Sequence, residues 1–177
     1  GHIRQVTPAM SDDVILKSIQ GWKWFAYVPL EAQQWLAERA SVRRIAKGTT
    51  VYAPGDQVQH VFGVISGIFR LYLITHRGDE MTMEEVVAGG WFSHNSPHPV
   101  SQHLLHCVCH QDASVVSVLY SVMLEFAERW PMYYKGLYDE FTSRAPAVFA
   151  RFELLSVHNL VVRLAVYLMR FVHLRGV

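Results

Sequence analysis

Hydrophobic positions divide the chain into a helical start, a long β-rich middle and a helical end. Apolar residues recur at helical spacing in residues 12–20, with Ile15 and Ile19 among them, and again in residues 30–40. From Ser41 onward the pattern changes to short β-branched and aromatic runs that are cut by turn residues such as KG, PGD and HRGDE. The pattern therefore predicts two short helices followed by an antiparallel roll or barrel.

A second helical region follows the β-rich middle. Further strands are predicted at HLLHCVCH and ASVVSVLY, and a helix is predicted to open at Ser121. The longest helical pattern starts near Pro131 and contains Pro146, where we expect a kink. Its apolar positions are spaced by three and four residues, as in a helix that packs along a partner, although a stripe that covers the chain's own barrel has the same spacing. These positions are Tyr134, Leu137, Phe141, Ala145, Val148, Phe152 and Leu155.

Composition and charge exclude several classes of function. The formal net charge of +1 lacks the positive excess of a surface that neutralises many phosphates, so this chain alone is not expected to bind nucleic acid. The most apolar run, residues 160–172, contains two arginines and is too short to span a membrane, so no membrane insertion is expected. Cys107 and Cys109 are one residue apart, which disfavours a disulfide between them and is typical of reduced thiols in a cytoplasmic protein.

Glycines typical of turns recur along the stretch VYAPGDQVQHVFGVISGIFRLYLITHRGDEMTMEEVVAGGWF. They occur as Gly55-Asp56, Ser66-Gly67, Gly78-Asp79-Glu80 and Gly89-Gly90, and such turns need positive φ angles. In this order they resemble the cyclic-nucleotide-binding roll of the Crp/Fnr transcription-factor family. The resemblance implies an α+β, mainly β fold. We expect an antiparallel double-stranded β-helix or jelly roll, flanked by short N-terminal helices and a long C-terminal dimerisation helix.

The resemblance continues through the C-terminal part of the chain. The WP turn, the long helix and VVRLAVYLMRF are similar to the family's dimerisation helix, hinge and next helix. We therefore expect a roll with flanking helices in residues 3–130, and the long helix, a hinge and the start of a DNA-binding domain in residues 131–177. Family members bind DNA through a winged helix that follows this segment and is absent from this chain. The expected partners are thus a second copy, a small-molecule effector of unknown identity and, through that further domain, DNA. The residues expected at the dimer interface are Leu137, Phe141, Ala145, Val148, Phe152 and Leu155.

The ligand loop departs from the family pattern. Members that bind cyclic nucleotides have a Phe-Gly-Glu motif, whose Glu accepts from the ribose, and a later Arg-hydroxyl pair that holds the phosphate. The resemblance places Ser93 at the Gly, His94 at the Glu and Leu104-Leu105 at the Arg-hydroxyl pair. Cyclic AMP or cyclic GMP is therefore not expected to bind in the usual mode, whereas an apolar effector and a self-filled pocket both stay open. The expected degenerate pocket consists of Ser93, His94, Asn95, Leu104, Leu105, Val148 and Phe149.

Five histidines and both cysteines lie between Gly89 and Ser114. Imidazole and thiolate suit zinc, iron or copper, and the family contains haem-based gas sensors and iron–sulfur redox sensors, so a metal or haem site is the alternative function. A His-rich loop is more often only a solvated polar segment, and the two cysteines are more often small core residues. A cupin-like metalloenzyme would need a His-x-His pair with a nearby Glu, and this loop has neither the pair nor the Glu. A nucleophile, a base and an orienting residue do not occur together at usable spacing either, so no enzymatic activity is expected. A stand-alone interaction protein is a third interpretation. The candidate metal ligands are His94, His98, His103, His106, His110, Cys107 and Cys109.

Overall fold

A computed structural model describes the backbone of residues 4–5, 8–93 and 102–155, and the side chains of residues 12–93 and 102–150. Both predicted N-terminal helices are present, and the β-rich middle of the chain forms antiparallel strands. In chain order the elements are β1 (Arg4–Gln5), α1 (Pro8–Gly21), a 3-10 helix (Lys23–Phe25), α2 (Leu30–Ala37), β2 (Ala40–Ile45), β3 (Thr50–Tyr52), β4 (His60–Ile74), β5 (Glu80–Val86), β6 (Trp91–Phe92), β7 (His106–Leu119), α3 (Tyr120–Arg129) and α4 (Tyr133–Leu155).

The strands form one antiparallel sheet with the hydrogen-bonded order β1-β2-β7-β4-β5. The short strand β3 pairs with β7 and the short strand β6 pairs with β4, and the sheet is not closed. The predicted fold class is confirmed: the chain is a mainly antiparallel, jelly-roll-like fold with short helices before it and a long helix after it. Since β4 and β7 pair along most of their length, they form the centre of the roll.

Two pairs of predicted strands are in fact single long strands. β4 has 15 residues and β7 has 14, and each spans a point where the sequence pattern predicts a break. The prediction that a strand ends at Ser66-Gly67 is therefore wrong. Gly67 has a φ of +90°, and a Cβ there would lie 2.6 Å from Cα of Ala113 on β7. The pairing register shifts around this glycine, so it permits a bulge that bends β4 without ending it.

The start of α3 also differs from the prediction. The helix begins at Tyr120, whose backbone N–H donates to the carbonyl oxygen of Gln59 at 2.9 Å. Ser121 consequently lies inside the first turn and does not cap it. The helix start is fixed by a contact with a distant segment, because β7 leads directly into α3 without a turn.

Apolar residues form two separate cores on the two faces of the sheet. The first core packs α1, α2 and α3 against the sheet and is rich in aromatic rings, with Trp24 and Phe126 fully buried. The second core fills the inside of the roll, and we call it the roll interior. Its buried members are Ile45, Tyr52, Phe62, Val64, Phe69, Leu71, Val86, Phe92, Cys107, Cys109, Ala113 and Val115.

The chain divides into two compact units, residues Gly1–Tyr138 and Asp139–Val177. The division falls within α4, which continues through Pro146. The predicted hinge and the start of the next helix, in residues 159–177, lie outside the described residues. Among the helices described, none is both long enough and apolar enough to cross a membrane.

Candidate functional site

Aromatic rings fill the centre of the roll interior. Phe92 on β6 lies 4.4 Å from the ring centroid of Phe69 and 5.1 Å from that of Phe62, and it lies 6.3 Å from that of Tyr52. Such distances are typical of favourable aromatic pairs. Strand alternation explains why these residues meet: Phe62 and Phe92 are direct cross-strand partners, and Phe62 and Phe69 lie on either side of the β4 bulge.

Tyr52 brings a polar group into this interior. Its ring stacks on His103 with centroids 3.5 Å apart and an angle of 4° between the planes, and both side chains are only 7% exposed. Burial raises the pKa of the Tyr52 hydroxyl far above its usual range, and the hydrogen-bonded thiol of Cys107 acts in the same direction. Burial likewise raises the pKa of Cys107, although the hydrogen bond with Tyr52 acts the other way. The phenol and the thiol are therefore neutral at physiological pH.

Ser93 has the backbone conformation of a glycine. Its φ is +90°, and it is the one non-glycine residue with positive φ in the described part of the chain. The Ser93 hydroxyl donates to the carbonyl oxygen of His60 at 2.6 Å, and its backbone N–H is directed at the hydroxyl of Tyr52. A positive φ costs a non-glycine residue about 1–3 kcal/mol, so these two bonds offset backbone strain. Positive φ is the conformation that the resemblance expects of a glycine in the ligand loop, and the assignment of Ser93 to that position stays a prediction.

The segment before β7 turns inward at a different residue from the one predicted. His103 is buried and Leu105 packs against the roll interior, whereas Leu104 is 85% exposed. The prediction that Leu104 lines the pocket is therefore wrong. Side chains alternate between the two faces from His103 to Cys109, so the odd-numbered residues face the interior. Paired hydrogen bonds between His103 and the Gly55-Asp56 turn, each 2.9 Å long, fix this register.

Both cysteines lie inside the roll, as the core interpretation predicts. Cys107 is 0% exposed and Cys109 is 1% exposed, and neither forms a disulfide. The Cys109 thiol donates to the carbonyl oxygen of Gln111 at 3.0 Å. Burial raises the pKa of Cys109, and the nearby carboxylate of Asp112 raises it further. A buried thiol of raised pKa is a poor nucleophile and a poor metal ligand.

The candidate metal ligands do not converge in the part of the chain that the structure describes. His106 stacks on Tyr72 with centroids 4.9 Å apart, on the face opposite to Cys107, and His110 is exposed. No group of three or more His, Cys, Asp or Glu residues suited to a metal occurs among the described residues. His94, Asn95 and His98 lie outside them.

Arg43 and His60 form a pair at the rim of the roll. Arg43 Nη2 lies 3.2 Å from Nε2 of His60, and both side chains are half-buried. Burial lowers the pKa of His60, and the positive charge of Arg43 lowers it further. The imidazole is therefore the neutral acceptor of a hydrogen bond from Arg43.

The predicted interface residues of α4 fall into different environments. Leu137 is half-buried and packs against the first core, and its assignment to the dimer interface stays a prediction. Tyr138, which the sequence analysis did not select, is 67% exposed, and Phe141 is 68% exposed. Phe149 is 39% exposed. Ala145 and Val148 are half-buried, and the side chains of Phe152 and Leu155 lie outside the described residues.

Three residues at or beside the roll interior have a place that the sequence did not predict. Tyr52 and Glu84 were not selected, and His103 was considered only as a metal ligand. Direct pairing joins Tyr52 to Cys107, Cys107 to Leu71, and Leu71 to Glu84, so the four residues form one row across four strands. The alternation around Cys107 could have identified His103. No local signal could have identified Tyr52 or Glu84, because long-range strand pairing brings them into the row.

Known proteins share the fold of this chain. Residues 42–129 match the family model described as a cyclic nucleotide-binding domain. A cyclic nucleotide-binding domain from Methylobacillus flagellatus superposes with a TM-score of 0.72 at 15% identity, over 89% of this chain and 92% of that one. The sensor domain of the transcriptional regulator DNR from Pseudomonas aeruginosa gives a TM-score of 0.65 at 15% identity, over 84% of this chain and 97% of that one.

Catabolite activator protein from Thermus thermophilus is a further similar structure, with a TM-score of 0.62 and 21% identity. The match covers 76% of this chain but only 63% of that protein. Identities this low establish a shared fold. No curated protein sequence matches the chain.

Proposed function

We propose that the chain is the effector-sensing and dimerisation module of a Crp/Fnr-type transcription regulator, with a cyclic-nucleotide pocket that has lost its phosphate anchor. The similarity of its fold to a sensor domain of a transcriptional regulator supports the regulatory role. In this proposal the roll binds a small effector in the cytoplasm, α4 pairs with the α4 of a second copy, and a separate winged-helix domain binds DNA. The module has no catalytic role.

The main support for a pocket without a phosphate anchor is the composition of the roll interior. Its buried residues include no lysine or arginine within the described part of the chain, and its buried polar groups are the neutral phenol of Tyr52, the ring of His103 and two thiols. A cyclic phosphate is an anion, and a charge-assisted hydrogen bond to it contributes about 1.5–3 kcal/mol. Since every 1.4 kcal/mol is about a tenfold change in affinity, losing such contacts weakens binding by orders of magnitude.

Arginines near the roll have other partners. Arg70 is on the outer face of β4, where it forms an ion pair with Glu80 at 2.6 Å and lies over the ring of Tyr72 at 4.2 Å. Arg43 is hydrogen-bonded to His60 at the rim of the roll. Phe92 occupies the middle of the interior between Phe62 and Phe69, which further favours an effector smaller or less polar than a nucleotide.

Calorimetric titration with cyclic AMP and cyclic GMP tests the pocket assignment. We expect no saturable heat for either nucleotide at millimolar concentration. An exchange of Leu105 for Arg, which introduces a cation at a half-buried position, serves as the comparison and should bind cyclic AMP more tightly than the wild type. Micromolar binding of cyclic AMP by the wild type would overturn the assignment.

The exposed apolar residues of α4 support the dimer. Tyr138 and Phe141 are both about two-thirds exposed, and Ala145 follows one turn later on the same stripe. Large exposed apolar residues repeated at helical spacing are typical of a surface that packs against a partner.

Analytical ultracentrifugation tests whether this stripe forms a dimer interface. We expect the wild type to be a dimer and Phe141→Glu to shift it to monomer, whereas Ser143→Glu, on the opposite side of the helix, should leave the dimer intact. A monomeric wild type at high concentration would contradict the proposal.

A further inference from the structure

Arg43 is a half-buried cation that has no carboxylate partner in the described part of the chain. Its side chain has one hydrogen-bond partner there, Nε2 of His60 at 3.2 Å, and its Nε is buried without any. A guanidinium has five N–H donors, so one neutral acceptor uses little of its capacity. A partly buried charge is costly unless a group of opposite charge neutralises it. Arg43 therefore has both the charge and the donors to bind an anion.

The strands around Arg43 supply no acidic residue. None of the strand segments that pair at this end of the sheet contains Asp or Glu. These segments are residues 40–45, 60–64 and 113–119. Gln5, which pairs directly with Arg43 from β1, is neutral, and no acidic residue occurs in residues 1–11 or 94–101 of the sequence. An anion that neutralises Arg43 is therefore expected to be a ligand.

Ser117 lies beneath the contact between Arg43 and His60. Arg43 pairs with Val115 on one side of β7. His60 pairs with Leu119 on the other side of the same strand. Ser117 is midway between these two partners and on the same face, so the contact between the guanidinium and the imidazole crosses above it. Ser117 is 2% exposed, and its Oγ has no hydrogen-bond partner among the described residues. A water molecule would satisfy this hydroxyl but would not neutralise the arginine.

This end of the roll is accessible to solvent. Arg43 and His60 are both partly exposed, and Leu119, on the same face, is 49% exposed. A small ligand therefore reaches the guanidinium and the imidazole from the rim and does not need an internal cavity. Insertion of the ligand between these two side chains uncovers the hydroxyl of Ser117, which then becomes a third donor.

We propose that Arg43, His60 and Ser117 form a binding site for a small tetrahedral dianion, such as sulfate or monophosphate, which binds together with one proton. In the free protein His60 is neutral and accepts a hydrogen bond from Arg43. A dianion between the two side chains pairs with two positive charges, so it favours the protonated imidazole. A cyclic nucleotide is a larger monoanion and matches this pair of charges less well. The site lies at the rim, and it is separate from the interior pocket of the proposed sensor function.

The surroundings of His60 make Arg43 the main control on its protonation. The described groups that face the imidazole are Arg43 from β2, Ser117 and Leu119 from β7, and the ring of Phe62 on its own strand, and Arg43 is the only charged one among them. Since no carboxylate in this set favours the imidazolium, the bound dianion supplies the negative charge that does.

Calorimetric titration of the purified chain with sodium sulfate tests the site, at about pH 6 and about pH 8 and at constant ionic strength. Sulfate has the same charge at both pH values, so a pH dependence of its binding originates in the protein. Arg43→Gln removes the guanidinium. Arg44→Gln is the matched control, because Arg44 is exposed and lies on the other face of β2. Thermal melts verify that the variants are folded.

We expect the wild type to bind one sulfate at the lower pH and to bind it about tenfold more weakly or worse at the higher pH. Arg44→Gln should match the wild type, whereas Arg43→Gln should show no saturable binding. His60→Gln should bind sulfate weakly and with the same affinity at both pH values. In an NMR titration, the pKa of His60 should be higher in sulfate than in chloride.

Ser117→Ala keeps the site testable if Arg43→Gln does not fold. Without sulfate this variant should be at least as stable as the wild type, because no hydrogen bond of the Ser117 hydroxyl is lost, and it should bind sulfate more weakly. Equal sulfate binding by the wild type, Arg43→Gln and Ser117→Ala would overturn the site and would identify adventitious binding only. Equal affinity of the wild type at both pH values would overturn the uptake of a proton. Absence of saturable binding at both pH values would overturn the whole proposal, whereas the cyclic-nucleotide titration and the ultracentrifugation test the sensor function separately.

Discussion

Gly136 allows α4 to pack directly against the backbone of the 3-10 helix. A Cβ at this position would overlap the carbonyl oxygen of Trp24, and it would also lie 2.7 Å from the Trp24 carbonyl carbon and 3.1 Å from its Cα. These neighbours are backbone atoms of a fully buried residue and cannot rotate away as a side chain could. Substitution of Gly136 by Ala is therefore expected to displace α4 from the first core.

The size of this effect follows from two opposing contributions. Alanine is favoured over glycine in a helix interior by about 1 kcal/mol, which by itself would stabilise the variant. Overpacking a well-filled contact costs about 1–3 kcal/mol, and a clash with backbone lies at the upper end. We therefore expect Gly136→Ala to lower the free energy of unfolding by about 2 kcal/mol, or Tm by about 4–8 °C for a chain of this size.

Gly21 provides the matched control for this substitution. It is the last residue of α1, and a Cβ there would have no atom within 4 Å. Gly21→Ala should be neutral or stabilising by up to about 1 kcal/mol, because alanine has less conformational freedom to lose on folding. Urea unfolding followed by tryptophan fluorescence, at one fixed protein concentration, measures both variants. If Gly136→Ala proves as stable as Gly21→Ala, the close approach of α4 to Trp24 does not exist in solution.

Three further predictions follow from the buried groups. Cys107 and Cys109 should not react with a thiol reagent at pH 8 in the folded chain, whereas both should react in denaturant; fast reaction of the folded chain would contradict their burial. The lowered pKa of His60 means that the folded state binds fewer protons than the unfolded state, so the free energy of unfolding should fall as pH drops below about 6.5. In urea titrations at several pH values, His60→Gln should show a smaller fall, and an unchanged pH profile would refute the linkage. Phe92→Ala should destabilise the chain by about 3–5 kcal/mol in the same assay, because its ring contacts three other aromatic rings, and a loss below about 1 kcal/mol would show that the interior is not closely packed.

The local pattern of the chain was sufficient to predict its elements and their class. Helical spacing located α1 and α2, and β-branched runs located the strands, because these signals depend only on neighbours along the chain. The predicted turn glycines Gly55, Gly78 and Gly89 all have φ near +90°. The break predicted at Gly67 did not occur, because the same φ that serves a turn also serves a bulge inside a paired strand.

The composition of the site depended on tertiary structure. A shift of one residue reverses the face of every side chain in a strand, so the sequence assigned Leu104 to the pocket where the folded chain buries His103. The hydrogen bonds between His103 and the Gly55-Asp56 turn decide that register, and they join segments about fifty residues apart. Tyr52 and Glu84 become neighbours of Cys107 and Leu71 for the same reason. Periodicity along a chain specifies which residues share a face, whereas only the pairing between distant strands determines which of those faces meet.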